Sequence, residues 1–83
     1  MHVLSPILIV YYRDGCHLCE QVVASLFQLQ AELGYEIKQI DIDTDPELRD
    51  RYNADVPVVM YQGEVVFYHF FDEVELRKSL AHG

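Results

Sequence analysis

The sequence has few basic residues and no long apolar run. Six Lys and Arg stand against 14 Asp and Glu, which gives a formal net charge of −8 at pH 7. Nucleic-acid phosphates and anionic membranes attract basic surfaces, so we expect neither as a partner. The first apolar run is too short for a signal peptide or a membrane span, and no basic segment precedes it. Without repeats, low-complexity tracts or linkers, residues 1–83 are expected to form one small monomeric, cytoplasmic domain.

Cysteine is also scarce, since Cys16 and Cys19 are the only two in the chain. A pair so close in sequence closes no useful loop and cannot staple a domain as the disulfides of secreted mini-proteins do. It lies instead between a strand-like run, residues 7–12, and a helix-like run, residues 18–33. A Cys-x-x-Cys pair at a strand-to-helix junction is typical of a dithiol redox site.

The helix boundary decides whether this pair can close. Residues i and i+3 inside a helix have Cβ atoms about 5–6 Å apart, whereas a disulfide needs about 3.5–4.5 Å. If Cys16 lies at the cap, its backbone is freer to bring the two sulfurs together. The unpaired N–H groups of the first helical turn and the helix dipole would also favour a thiolate on Cys16.

Hydrophobic periodicity and turn residues predict seven elements in the order β-α-β-α-β-β-α. Apolar residues step by four, four, three and four along the first helix, and Thr44-Asp45-Pro46-Glu47 resembles a capping box with proline in the first turn. The predicted strands are residues 7–12, 35–41, 56–61 and 65–70. The predicted helices are residues 18–33, 46–52 and one that begins after Asp72, with Val74, Leu76 and Leu80 as its apolar residues. The fold class is therefore α/β, a mixed four-stranded sheet flanked by helices.

This element order, with Cys-x-x-Cys at the first strand-to-helix turn, resembles the glutaredoxin-like family of the thioredoxin-fold superfamily over nearly the whole chain. Residues 11–19 (YYRDGCHLC) resemble the glutaredoxin stretch of tyrosine, threonine, lysine, two residues and Cys-Pro-Tyr-Cys. Asp55-Val56-Pro57 resembles the Thr-Val-Pro of glutaredoxins. Residues 41–48 (DIDTDPEL), followed by Val56-Pro57, also resemble a set of short bacterial glutaredoxin-like proteins.

The resemblance implies a substrate-binding set beside the dithiol. Arg13 falls where glutaredoxins carry the lysine that approaches the glycyl carboxylate of glutathione. Pro57 would be cis and lie against the active site, with the backbone of Val56 free to pair with an extended substrate. Asp72 matches the acid that receives the γ-glutamyl end of glutathione. The glycines that precede that acid in glutaredoxins are replaced here in the run His69-Phe70-Phe71-Asp72, so we expect poorer use of glutathione.

The chemistry expected of the pair is thiol–disulfide exchange in the service of cell redox homeostasis. Cys16 would attack the disulfide of a protein or of glutathione, and Cys19 would resolve the mixed disulfide. Arg13 and the helix N–H groups would stabilise the thiolate, while Asp14 and Glu20 would oppose it by like-charge repulsion. No cofactor is expected beyond glutathione as a possible electron donor.

Two alternatives to redox chemistry stay open at this point. The chain could be a redox-inactive thioredoxin-fold module that docks a partner, or the cysteine pair could hold a metal. A zinc site usually needs four ligands, and no second Cys-x-x-Cys is present. His17 could tune the dithiol through its charge or add a third ligand, with His2, His69 or His82 as scattered further candidates. We therefore predict no metal.

Overall fold

The computed structural model describes residues 5–82 and has the predicted element order. The sequence did not predict one element, a short 3-10 helix that precedes the second α-helix. The elements are β1 (Ile7–Tyr12), α1 (His17–Leu33), β2 (Glu36–Asp41), the 3-10 helix (Ile42–Thr44), α2 (Pro46–Tyr52), β3 (Val58–Tyr61), β4 (Glu64–Tyr68) and α3 (Glu73–His82). Within residues 5–82, no helix is both long and apolar enough to cross a membrane.

The four strands form one mixed sheet in the order β2-β1-β3-β4. β1 and β2 are parallel because α1 carries the chain back between them, whereas β3 runs antiparallel to both β1 and β4. Tyr12 pairs with Asp41, and Tyr11 pairs with Val58. The segments that follow β1 and β2 and the segment that precedes β3 therefore meet at one edge of the sheet.

The core lies between the sheet and the apolar face of α1. Leu8 and Val10 of β1 and Val22 and Leu26 of α1 are at most 2% exposed, as the helical spacing of apolar residues predicts. Tyr35 is also buried, and its hydroxyl donates a hydrogen bond to the carbonyl oxygen of Leu26. Burial away from water disfavours the phenolate and raises the pKa of Tyr35.

Four local predictions were wrong. β3 begins at Val58, two residues later than expected. β4 ends at Tyr68 rather than at residue 70, because the backbone of His69 turns into the left-handed region at φ 68°. Asp45, not Thr44, caps α2, since its carboxylate accepts the N–H of Glu47. Val74, which the pattern placed on the apolar face of α3, is 67% exposed.

Candidate functional site

A tight turn delivers Cys16 to the start of α1. The N–H of Cys16 donates to the carbonyl oxygen of Arg13 at 3.2 Å, and Gly15 within that turn has φ 74°, a conformation that favours glycine. Cys16 itself keeps an extended backbone and is the N-cap of α1. Its sulfur accepts a hydrogen bond from the N–H of Cys19 at 3.1 Å. The sulfur therefore fills the role that a hydroxyl or carboxylate oxygen has in most N-caps.

Cys16 and Cys19 are joined by a disulfide, with their Cα atoms 5.2 Å apart. That separation is ordinary for a disulfide, and it follows from the extended backbone of the cap residue. Cys19 is only 3% exposed, whereas Cys16 is half-buried. Cys16 therefore lies at the helix start, and Cys19 is the more buried of the two residues.

The two cysteines open into a cleft of about 310 Å³. Tyr12, Arg13 and Asp14 line it from the turn, and Glu20 and Val23 line it from α1. Tyr12 therefore borders the dithiol. The cleft is large enough for a small thiol or for part of an extended peptide at the Cys16 sulfur.

Arg13 lies in this cleft, but most of its hydrogen-bonding capacity is already used. Its Nε donates to Asp43 Oδ2 at 3.0 Å, and its Nη2 donates to Asp43 Oδ1 at 3.1 Å. Nη2 also donates to Asn53 Oδ1 at 2.6 Å. Parallel pairing brings these groups together, because Arg13 follows β1 and Asp43 lies in the 3-10 helix that follows β2. Substrate binding by Arg13 stays a prediction.

The other charges beside the dithiol are mainly negative. Asp14 in the turn and Glu20 in the first turn of α1 are both exposed. His17 is exposed as well, with its Nδ1 3.7 Å from Glu20 Oε2. The helix N–H groups favour a thiolate at Cys16, while the two carboxylates oppose it. The tuning roles of His17 and Asp14 stay predictions.

The Val56–Pro57 bond is cis, as the resemblance implied. Pro57 is fully buried, while Val56 is half-buried. The pairing of Tyr11 with Val58 places Pro57 across from Tyr12. Tyr12 ends β1, and the turn to Cys16 begins there. His69 makes two contacts with the segment around Pro57. Its backbone N–H donates to Pro57 O at 2.9 Å, and its Nε2 lies 2.8 Å from Ala54 O.

Asp72, the expected contact for the γ-glutamyl end of glutathione, lies away from the lining of the dithiol cleft. Its Oδ1 accepts the N–H of Glu75 at 3.1 Å, so the carboxylate serves the start of α3. Phe71 is half-buried and packs edge-on against Phe67, with ring centroids 5.6 Å apart. Phe70 is 68% exposed. Both phenylalanines border a second, smaller cleft over the first turns of α1.

The described part of the chain offers no cluster of metal ligands around the cysteine pair. Residues 5–82 hold no group of three His, Cys, Asp or Glu side chains placed to bind a metal ion. His69 is turned toward Ala54. His2 and the side chain of His82 lie outside the described residues.

Sequence reasoning missed the contacts that three residues make around the dithiol and Pro57: Asp43, Asn53 and His69. Asp43 carries a usable signal, because the carboxyl ends of adjacent parallel strands meet at the same edge of a sheet. Asn53 follows α2 and reaches Arg13 only through the tertiary fold. His69 occupies a left-handed position that no local pattern marks.

Comparison with known proteins gives consistent matches. A family model described as Glutaredoxin-like domain (DUF836) matches residues 7–81. An uncharacterized protein of Mycobacterium tuberculosis is 35% identical over 74 residues, which cover 83% of this chain and 76% of that protein. The solution structure of a protein from Nitrosomonas europaea superimposes with a TM-score of 0.84 at 34% identity, covering 95% of each chain. A glutaredoxin from Brucella melitensis superimposes with a TM-score of 0.56 at 25% identity, covering 99% of this chain and 87% of that one.

Proposed function

The chain belongs to the glutaredoxin-like domain family and has the thioredoxin-like fold, and from that premise we propose that it is a thiol–disulfide oxidoreductase. Cys16 and Cys19 are the proposed catalytic residues. One observation carries the proposal: a disulfide-bonded pair whose outer sulfur caps α1 beside a cleft and whose inner sulfur is buried. A purely structural disulfide has no need to line a cleft at a helix N-terminus, whereas a nucleophilic cysteine does.

The proposed reaction conserves atoms and electrons through two exchanges. In the first, the Cys16 thiolate attacks one sulfur of the substrate disulfide, a mixed disulfide forms, and the other substrate sulfur leaves as a thiolate. In the second, the Cys19 thiol loses its proton and attacks the Cys16 sulfur. The second substrate thiolate leaves, and the Cys16–Cys19 disulfide remains. The dithiol is oxidised by two electrons, and the substrate is reduced to two thiols.

Substrate binding is proposed for the edge of the sheet around the dithiol. Val56 is half-buried and precedes buried Pro57, and its backbone is a candidate to pair with an extended substrate segment. A protein disulfide fits this arrangement. Glutathione is the competing substrate and a possible electron donor. Asp72 already serves the start of α3, and Phe70 stands where glutaredoxins have glycine, so glutathione has fewer free contacts here.

Single-cysteine variants test the proposal directly. The reduced Cys19→Ser variant should form a mixed disulfide with bis-hydroxyethyl disulfide and keep it, because the resolving sulfur is missing. The Cys16→Ser variant should form little, because its remaining sulfur is buried. The wild-type protein should lose two hydrogen masses and retain no adduct. Mass spectrometry after an acid quench distinguishes these products.

Two results would replace the proposal with the binding-module or metal alternative. One is a wild-type dithiol that the disulfide does not oxidise although the reduced protein remains folded. The other is a stoichiometric metal ion in the purified protein that is lost from both single-cysteine variants. Trapping at Cys19 rather than at Cys16 would reverse the assigned roles.

A further inference from the structure

The guanidinium of Arg13 is the positively charged group nearest the dithiol along the chain, and its pairing limits what it can bind. An arginine side chain has five N–H donors, one on Nε and two on each terminal nitrogen. Nε–H and one Nη2–H hold the two oxygens of Asp43, and the other Nη2–H holds Asn53. Three of the five donors are therefore engaged, including the whole edge formed by Nε and Nη2.

The engaged donors are the ones that a carboxylate would use best. A carboxylate binds a guanidinium most strongly through two parallel hydrogen bonds, from Nε and one terminal nitrogen or from both terminal nitrogens. Either arrangement needs Nη2, and Nη2 has no free N–H left. An incoming carboxylate can reach only Nη1, and it approaches a cation whose charge Asp43 already balances.

Asp43 is held in place by its own surroundings. Its backbone N–H donates to Asp41 Oδ1 at 2.9 Å, and the Thr44 hydroxyl donates to Asp41 O at 2.7 Å. The 3-10 helix thus fixes Asp43 at the point where β1 and β2 end. Asp14 and Glu20 add two further exposed carboxylates to the cleft. An anionic substrate meets repulsion there with no bidentate cation to offset it.

We propose that Asp43 is a specificity-determining residue that occupies the carboxylate-binding edge of Arg13 and makes the dithiol discriminate against anionic disulfides. The inference rests on the proposed oxidoreductase function. The favoured substrates are disulfides flanked by uncharged or basic groups, as a protein segment can supply. Glutathione disulfide, whose carboxylates give it a net negative charge, belongs to the disfavoured class.

A matched series of small disulfides separates charge from size. Cystamine, bis-hydroxyethyl disulfide and dithiodipropionate share a two-carbon arm on each sulfur and carry cationic, neutral and anionic ends. Each would oxidise the reduced wild-type protein under single-turnover conditions, with an acid quench and mass spectrometry as readout, since the chain has no tryptophan. Each rate is divided by the rate at which the same disulfide oxidises a free dithiol in solution, which removes the intrinsic reactivity of the probe. The readout is the anionic-to-neutral rate ratio.

The wild-type ratio should lie well below one, and Asp43→Ala should raise it by about tenfold. That figure is the lower end for a charge-assisted bidentate pair, because the Arg13 side chain is 32% exposed and partly screened. Asp14→Ala is the matched control, since it removes one negative charge from the cleft that Arg13 lines without releasing Arg13. Its ratio should change by less than about threefold. In an Arg13→Gln background, Asp43→Ala should change the ratio by no more than Asp14→Ala does.

Failure of this inference and failure of the proposed function look different. If none of the three disulfides oxidises the wild-type dithiol, the oxidoreductase proposal falls. If all three react but the ratio is near one, or is the same in Asp43→Ala and wild type, Asp43 does not set specificity. Equal gains in Asp43→Ala and Asp14→Ala would attribute the effect to net charge alone and would also overturn it. Asp43→Asn, which keeps the side-chain shape, replaces the alanine variant if that variant does not unfold cooperatively.

Discussion

Reduction of the Cys16–Cys19 disulfide should lower the free energy of unfolding only slightly. The cross-link joins residues three apart in sequence. In the chain-entropy account, a loop this small removes little freedom from the unfolded chain, which corresponds to about 2 kcal/mol at 25 °C. A disulfide that closes a hundred-residue loop would give about 4.7 kcal/mol by the same relation.

The helix cap at Cys16 should offset part of the stability that is lost on reduction. A thiolate on Cys16 would keep the hydrogen bond from the Cys19 N–H and would place a negative charge at the N-terminus of α1. Such a charge stabilises a helix by about 0.3–1 kcal/mol. We therefore expect the oxidised protein to be more stable by about 1–2 kcal/mol when Cys16 is ionised.

The pH dependence of this difference has a definite sign. We expect the cap interaction to outweigh the neighbouring carboxylates and to lower the pKa of Cys16 in the folded, reduced protein below its value in the unfolded chain, about 8.5. The reduced state then has its full extra stability above the unfolded pKa and loses it as pH falls through the folded pKa. The difference in free energy of unfolding between the oxidised and the reduced protein should therefore increase as the pH falls from about 9 to about 5.

Urea unfolding of both redox forms, extrapolated linearly to water, measures the gap. A phosphine maintains the reduced form, and the Cys16→Ser/Cys19→Ser double variant controls for direct effects of the phosphine. A gap above about 4 kcal/mol would show that the disulfide acts as a structural staple. A gap that narrows at low pH would show that the thiolate is not stabilised at the helix cap.

Three further predictions follow from the cap and the core. In Cys19→Ser, the pKa of Cys16 should lie below about 8.5, so iodoacetamide alkylation should have its half-maximal rate below that pH; an unshifted midpoint would mean that the neighbouring carboxylates prevail. Tyr35→Phe should cost about 1 kcal/mol at neutral pH, and it should remove a fall in wild-type stability above about pH 10, because the buried phenol keeps a proton that the unfolded chain loses. Leu26→Ala should lower the free energy of unfolding in urea by about 3–5 kcal/mol, because Leu26 is 0% exposed. Phe27→Ala, at the next position, should lower it by about 0.5 kcal/mol or less, because Phe27 is 50% exposed. Similar losses in the two variants would contradict the assigned core.

Most of the fold was predictable because its signals are local. The helical spacing that ends at Leu33 and the glycine after it mark α1, and Gly34 adopts φ 72° as a helix C-cap. The β-branched runs on either side of Gly63 mark the hairpin, and Gly63 has φ 80° in its turn. Periodicity and turn chemistry act over a few residues, so a single sequence carries them.

The geometry of the cysteine pair was predictable for a similar reason, but its charge environment was not. The position of Cys16 at the helix cap follows from its immediate neighbours. The partner of Arg13 lies 30 residues along the chain, and its second partner lies 40 residues along. Those contacts exist only once β1 and β2 pair and α2 packs, so the sequence pattern indicated a free arginine where the structure has an occupied one.

The end of β4 shows a third kind of failure. A strand to residue 70 was expected from a continuous aromatic run, yet the left-handed turn at His69 separates Tyr68 from Phe70. Tyr68 is 56% exposed and Phe70 is 68% exposed, so apolar character alone did not predict burial. Contacts from His69 to the segment around Pro57 offset the cost of that turn, and they depend on the tertiary fold.

In the proposed reaction, the hydrogen bond from the Cys19 amide to the Cys16 sulfur would couple turnover to the fraying of a helix end. The acceptor of that bond is the atom that would be attacked, ionised and re-bonded in every cycle. Each change in its charge alters how firmly the first turn of α1 is closed, whereas turns further along the helix keep ordinary backbone partners. Opening of this single turn would therefore alternate with the redox state, and Cys19 would become accessible at the moment when its sulfur is required.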